Sequence, residues 1–274
     1  MPVLTHNALQ INETPVTLAR LPRALDGLRI LQLSDTHFYE RTDKDYYQRV
    51  MDAVAALSVD CVVLTGDIIH HGVRFLPLAA SYLGQLQTIH PHAPRFAILG
   101  NHDYADHAQG ARTTAMLESC GYDVLINRHT PVTLRGETIT IAGLDDLWCG
   151  YPDIDASLAG SDPQRFTLML GHNPLLFDPV VRFTQHHGRP VDLLLSGHTH
   201  AGHVFIPWLM PIHRHIFNMK YRYGLYEREK TQLYVTSGLG SAAFYFKDPN
   251  QPFGFPRFRF NTHPEIAVLT LRCA

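Results

Sequence analysis

The chain has 274 residues, 45% apolar and 18% charged, which is enough to bury a full core in a water-soluble domain. Its formal net charge of −2 argues against a nucleic-acid partner, which would favour a basic surface. No stretch approaches the roughly 20 apolar residues of a membrane span, and Met1 to Gln10 lack a charged start followed by an apolar run, so neither an anchor nor an export signal is expected. The four cysteines, Cys61, Cys120, Cys149 and Cys273, are far apart and form no zinc or redox pair, so reduced thiols and a cytoplasmic location are expected, with Cys61 packed in the core. The eighteen histidines are the unusual feature, because many stand beside glycine, aspartate or asparagine rather than within apolar runs.

In chain order, Leu28 to Leu33 reads as a strand and runs into Ser34-Asp35-Thr36-His37. Asp45 to Leu57 has helical periodicity, and Asp60 to Thr65 is the next strand, ended by Gly66-Asp67. Val73 to Ile89 reads as a helix with Pro77 in its first turn. Arg95 to Leu99 is a third strand, followed by Gly100-Asn101-His102-Asp103. Val132 to Leu134 and Thr138 to Ala142 form a hairpin around Arg135-Gly136-Glu137. Phe166 to Leu170 runs into Gly171-His172, and Val191 to Leu195 into Ser196-Gly197-His198-Thr199-His200. Leu233 to Val235 and Ile266 to Leu271 are late strands. With no repeat or linker, residues 1–274 read as a single domain whose part from about 204 to 262 is a decoration that would cap the site.

One pattern recurs five times: an apolar strand ends, Gly or Ser follows, and Asp, Asn or His comes next. Singly, each has a plain reading. Asp35 and His37 fit a surface turn, Asp67 a helix N-cap, Asn101-His102 a turn, and His172 a satisfied core histidine. His198 and His200 say more, because alternate residues beyond a strand aim at neighbouring points. In α/β folds ligands gather beyond the carboxyl ends of strands, so five such ends can converge on one place. Imidazole and carboxylate donors without thiolate suit Mn, Fe or Zn.

The motifs SDTH (34–37), GD (66–67), GNHD (100–103), GH (171–172) and GHTH (197–200) resemble, in this order, those of the calcineurin-like metallophosphoesterase family. The resemblance spans about residues 28 to 206. It implies an α/β (α+β) fold of four layers, two central mixed β-sheets flanked by helices. It also implies two divalent or trivalent metal ions, one held by Asp35, His37 and His200 and the other by Asn101, His172 and His198, with Asp67 bridging. His102 would be the catalytic residue beside the scissile group, not a ligand. The implied reaction is in-line attack on a phosphate ester by a metal-bridging hydroxide.

The flanks LARLPRALDGLRILQL (18–33), LYVTSGLG (233–240) and HPEIAVLTL (263–271) resemble a bacterial, membrane-associated branch of phosphodiesterases, some of which act on lipid-linked nucleotide-sugar pyrophosphates. Two features depart from that branch: the absence of an anchor, and Ala201-Gly202-His203 where Gly-Gly-Gln is common. A phosphodiesterase is the leading expectation. A phosphomonoesterase and a lipid-linked nucleotide-sugar pyrophosphatase are the alternatives, and a nuclease or a non-catalytic scaffold ranks below them. Asp145 and Asp146 are read either as a turn or as orienting a ligand histidine. His70 and His71 are read as structural, and His186 and His187 as exposed loop residues. VFIPWLMPI (204–212) and FYFKDPNQPFGFPRFRF (244–260) are apolar with basic edges, open either to peripheral contact with the inner membrane or to packing as a cap over the late strands.

Overall fold

The computed structural model describes residues 8–104, 107–202, 220–240, 244–245, 254–255 and 259–274. Strands and helices alternate through the first half as β1 (Gln10–Leu18), β2 (Arg29–Leu33), α1 (Lys44–Ala55), β3 (Cys61–Thr65), α2 (Leu76–Leu83), α3 (Gln85–Ile89), β4 (Arg95–Ile98), α4 (His107–Ser119) and β5 (Asp123–Val124). The second half continues with β6 (Arg128–Leu134), β7 (Glu137–Gly143), α5 (Ile154–Leu158), β8 (Thr167–Leu170), α6 (Phe177–His187), β9 (Leu193–Ser196), β10 (Gly224–Arg228) and β11 (Thr231–Val235). A short pair, β12 (Phe244–Tyr245) and β13 (Gly254–Phe255), precedes the last strand, β14 (Glu265–Cys273).

One six-stranded sheet is ordered β1-β14-β2-β3-β4-β5 and the other β10-β11-β9-β8-β7-β6. In the first, β2 to β5 run parallel and β14 lies antiparallel to β2. In the second, β11, β9, β8 and β7 run parallel, and β10 and β6 close the edges antiparallel. Both sheets are therefore mixed.

The alternation of side chains along each strand builds the layers. Ile30, Cys61, Val63, Phe96 and Ile98 face Ile139, Ile141, Leu168, Leu170, Leu193 and Leu195 across the space between the sheets. Leu31, Leu33, Val62 and Leu64 point the other way, onto Val50, Met51, Val54 and Ala79 of the helices covering the first sheet. Met169, Leu194, Leu233 and Val235 likewise meet Phe177, Val180 and Val181 of α6. The result is four layers, helix–sheet–sheet–helix. Cys61 sits in the central core, and all four cysteines are free. Buried Gln32 joins the sheets near their functional rim by donating to Thr65 Oγ1 and to the Ser196 carbonyl, both at 3.0 Å.

Local chemistry accounts for the element ends. Asp43 caps α1 by accepting from the Tyr46 N–H at 2.9 Å. The expected helix over 73–89 starts as a 3₁₀ turn, carries Pro77 in the first turn of α2, and divides at Gly84, glycine being a poor helix former. The hairpin forms as expected, with Arg135 and Gly136 both at positive φ. His186 and His187 are exposed but are not loop residues. They form the last turn of α6, which ends on left-handed Gly188, and His187 stacks on Phe183 one turn back. Among the described residues, no helix is long and apolar enough to cross a membrane. Residues 204–212 with Trp208, and His203, Lys247, Phe253 and Arg257, lie outside the described residues.

Candidate metal centre

The five motifs sit directly beyond the carboxyl ends of β2, β3, β4, β8 and β9, where β2, β3 and β4 run parallel to one another in one sheet and β8 and β9 in the other. Their loops are laced together by backbone hydrogen bonds. The Asp35 N–H donates to the Gly66 carbonyl at 2.9 Å, His37 N–H to Asp67 at 3.0 Å, and Gly197 N–H to His172 at 3.0 Å. Glycine precedes the functional residues because the loops nearly touch. A Cβ on Gly100 would strike the Asp67 carboxylate, and one on Gly197 would strike Ser34 and Asp35.

The motif residues form two clusters, Asp35/His37/His200 and Asp67/His172/His198, and a third joins His37 to His70 and His102; within each the nearest donor atoms lie within 4.8 Å of one another. In the first, His37 Nε2 is 3.0 Å from His200 Nε2 and 3.9 Å from Asp35 Oδ1, and His200 Nε2 is 3.4 Å from Asp35 Oδ1. In the second, His198 Nδ1 is 3.3 Å from His172 Nε2. Asp67 Oδ2 stands between the clusters, 3.5 Å from His37 Nε2 and 3.3 Å from His172 Nε2. Six of the seven expected ligands are thus brought together. The seventh, Asn101, lies on the adjoining 3₁₀ turn, and its buried Oδ1 has no hydrogen-bond partner among the described residues. His102 is on the same turn. Its N–H donates to Asp67 Oδ1 at 2.8 Å, and its ring centroid is 4.8 Å from that of His37.

Asp35, His37, Asp67, His198 and His200 all adopt positive φ, between 47° and 70°. Left-handed backbone at a non-glycine residue costs on the order of 1–3 kcal/mol, and such strain collects where function fixes the geometry. The electrostatics are also unbalanced. Burial pushes the Asp35 carboxyl up to about 6, with His172 opposing and Asp67 adding to the rise. His172 Nδ1 donates to the Thr65 carbonyl at 2.6 Å, so Nε2 is the ring atom that faces Asp67. Burial opposes protonation of His172, yet Asp67 and Asp35 draw its pKa up to about 10. A cation among these groups would take the place of the proton on His172 Nε2 and would keep Asp35 ionised. The orphaned Asn101 oxygen fits the same interpretation, so the residues present suit hard or borderline metal ions.

Several participants had no clear sequence signal. Buried Asp103 accepts from Ile68 N–H at 2.9 Å, Ile69 N–H at 3.1 Å and Gly100 N–H at 2.9 Å, clamping the β3 loop to the β4 loop. Asp103→Ala is expected to cost on the order of 3 kcal/mol or more, because three buried donors lose their acceptor. Asp103→Asn should cost less. Urea unfolding measures both, and a loss below about 1 kcal/mol in the alanine variant would mean that the loops hold without this clamp. Arg259, also buried, donates to the carbonyls of Ser237 (2.7 Å), Gly238 (3.1 Å) and Gly240, and its guanidinium lies 3.2 Å from His200 Nδ1. His70 and His71 lie beside the site, their rings 4.8 and 4.5 Å from that of His102, and the His70 carbonyl is 3.2 Å from His102 Nδ1. Asp145 and Asp146 order a turn, and the turn holds Trp148 against His198.

Comparison with known proteins finds relatives along most of the chain. An uncharacterised metallophosphoesterase of Bacillus subtilis, YkuE, is 29% identical, the alignment covering 98% of this chain and 87% of the relative. A transmembrane protein with a metallophosphoesterase domain from Danio rerio is 33% identical over 84% of this chain, which spans only 53% of that longer relative. Among solved structures, the phosphopantetheinyl hydrolase of Mycobacterium tuberculosis superposes with a TM-score of 0.48 at 13% identity, covering 78% of this chain and 91% of that one. Residues 28–202 match the family model described as calcineurin-like phosphoesterase, and this chain belongs to that family.

Proposed function

We propose that the chain is a two-metal phosphodiesterase. Asp35, His37 and His200 would hold one ion, Asn101, His172 and His198 would hold the other, and Asp67 would be shared between them. The observation that carries this reading is the position of Asp67 Oδ2, 3.5 Å from a histidine of one cluster and 3.3 Å from a histidine of the other. Ions held there would supply Lewis-acid activation of water and would neutralise charge on the phosphate oxygens.

The protein's own groups account for the rest. A carbonyl only accepts, so His102 Nδ1 carries a proton toward the His70 oxygen, and Nε2 is the atom left to face substrate. Only the imidazolium form then has a proton to give at Nε2. In that form His102 would stabilise the developing charge and protonate the leaving oxygen. None of the five motifs supplies an arginine to clamp a terminal phosphate dianion. Arg259 lies behind His200 and is committed to loop carbonyls. A diester, with one negative charge on phosphorus, needs no such clamp. The test compares kcat/KM for bis(p-nitrophenyl) phosphate with that for p-nitrophenyl phosphate in Mn²⁺. The diester is expected to be the better substrate. A strong preference for the monoester would overturn the diesterase assignment and leave the two-metal site standing.

A further inference from the structure

Five large apolar side chains are notably exposed on the described surface, and the two most exposed, Trp148 at 62% and Tyr151 at 79%, share one loop. An indole left in water forgoes the burial that folding ordinarily gains, so its placement calls for a function. The loop is firmly built. Asp146 Oδ1 accepts from the N–H groups of Trp148 and Cys149, both at 2.8 Å. Asp145 accepts from Tyr151 N–H at 2.9 Å and from the Tyr104 hydroxyl at 2.7 Å. Asn127 donates to the Tyr151 carbonyl at 2.7 Å, and a Cβ on Gly150 would strike the Asp145 carboxylate. The loop's destination is the metal centre, where the Trp148 ring meets His198 with centroids 4.3 Å apart and planes at 82°. The indole thus stands one ring away from a group assigned to the second ion.

We propose that Trp148 is the stacking platform for a planar aromatic group of the substrate, so that the preferred phosphoesters are aryl or nucleobase-bearing and not purely aliphatic. The inference rests on the phosphoester reading of the metal centre and adds a substrate class to it. A ring fixed in place by the loop's hydrogen bonds loses little freedom on binding, and flat π-faces stack on it irrespective of their hydrogen-bonding pattern.

The test uses the full chain loaded with Mn²⁺ and three phosphinates that, like a phosphodiester, carry one negative charge and that resist hydrolysis: benzyl(methyl)phosphinate, cyclohexylmethyl(methyl)phosphinate and dimethylphosphinate. Calorimetry gives the affinities. Trp208→Phe removes the second of the chain's two tryptophans, so fluorescence then reports on Trp148 alone. The benzyl ligand is expected to bind about tenfold more tightly than its cyclohexyl counterpart and to perturb the emission. Trp148→Ala should abolish that difference while keeping metal content and dimethylphosphinate affinity, and Trp148→Phe should retain part of it. Equal affinity for the benzyl and cyclohexyl ligands, a preference that survives in Trp148→Ala, or loss of metal in Trp148→Ala would each overturn the proposal. A benzyl preference without esterase turnover would remove the hydrolytic reading and keep the platform. Turnover without the preference would do the reverse, and failure of all three ligands to bind would overturn both.

Discussion

His102→Ala is expected to lose about 10²–10⁴-fold in kcat while retaining the metal content of the unaltered protein. The loss follows from removing an imidazole whose Nδ1 meets the His70 carbonyl and whose Nε2 is assigned to the substrate. Retention of metal is the more discriminating half, because His37, His70 and His102 themselves form a cluster with ligand atoms within 4.8 Å. Metal analysis beside kinetics separates the roles. Loss of metal in His102→Ala would make His102 a ligand and end its assignment as the acid. The backbone N–H of His102 holds Asp67 Oδ1 in either variant, so the alanine substitution leaves that contact in place.

Asp67→Asn should act at both metal positions at once. Its Oδ2 lies between His37 and His172, and the amide removes the negative charge the two clusters share. In the ion-free protein, His172, His102 and His198 hold the Asp67 carboxyl well below the usual range although burial opposes them, so it remains an anion at the centre of the imidazoles. Affinity for both ions is expected to fall together, with hydrolysis lost in parallel at limiting metal. His200→Ala, by contrast, touches only one cluster. If Asp67→Asn bound metal as tightly as the unaltered chain, the bridging role would be wrong.

The sequence carried these residues because their spacing is a consequence of the fold. A strand that must stay apolar until it ends, then turn sharply and present a polar side chain, leaves a readable mark: an apolar run, a glycine or serine, then Asp, Asn or His. All five strand ends were legible for that reason, as were the hairpin at Arg135-Gly136 and the core place of Cys61. β1 left no such mark. It is an edge strand, mostly exposed, with Glu13 and Pro15 in it, and its pairing with β14 joins residues some 250 positions apart in sequence. α6 was missed because its exposed end, Gln185 to His187, reads like a loop, while Phe177, Val180 and Val181 carry the buried face.

Residues that act by geometry alone were equally hidden. Asp103 belongs to a recognised motif, but its three backbone partners lie on two loops that only the fold brings together. Arg259 reaches His200 across 59 positions, and Trp148 meets His198 across 50. Single-sequence patterns report periodicity and local turns, and contacts of this range leave no periodic trace. His70 and His71 follow the same logic, since two adjacent histidines after a strand-end turn carry no information about where His102 will sit.

The most direct test of the two-metal account is a metal titration. Chelator-stripped protein is titrated with Mn²⁺ while the hydrolysis of bis(p-nitrophenyl) phosphate and the bound metal are measured together. The account predicts negligible hydrolysis in the stripped protein and a rise that saturates when two ions are bound per chain. Full hydrolysis after stripping, or saturation with a single ion bound, would contradict it.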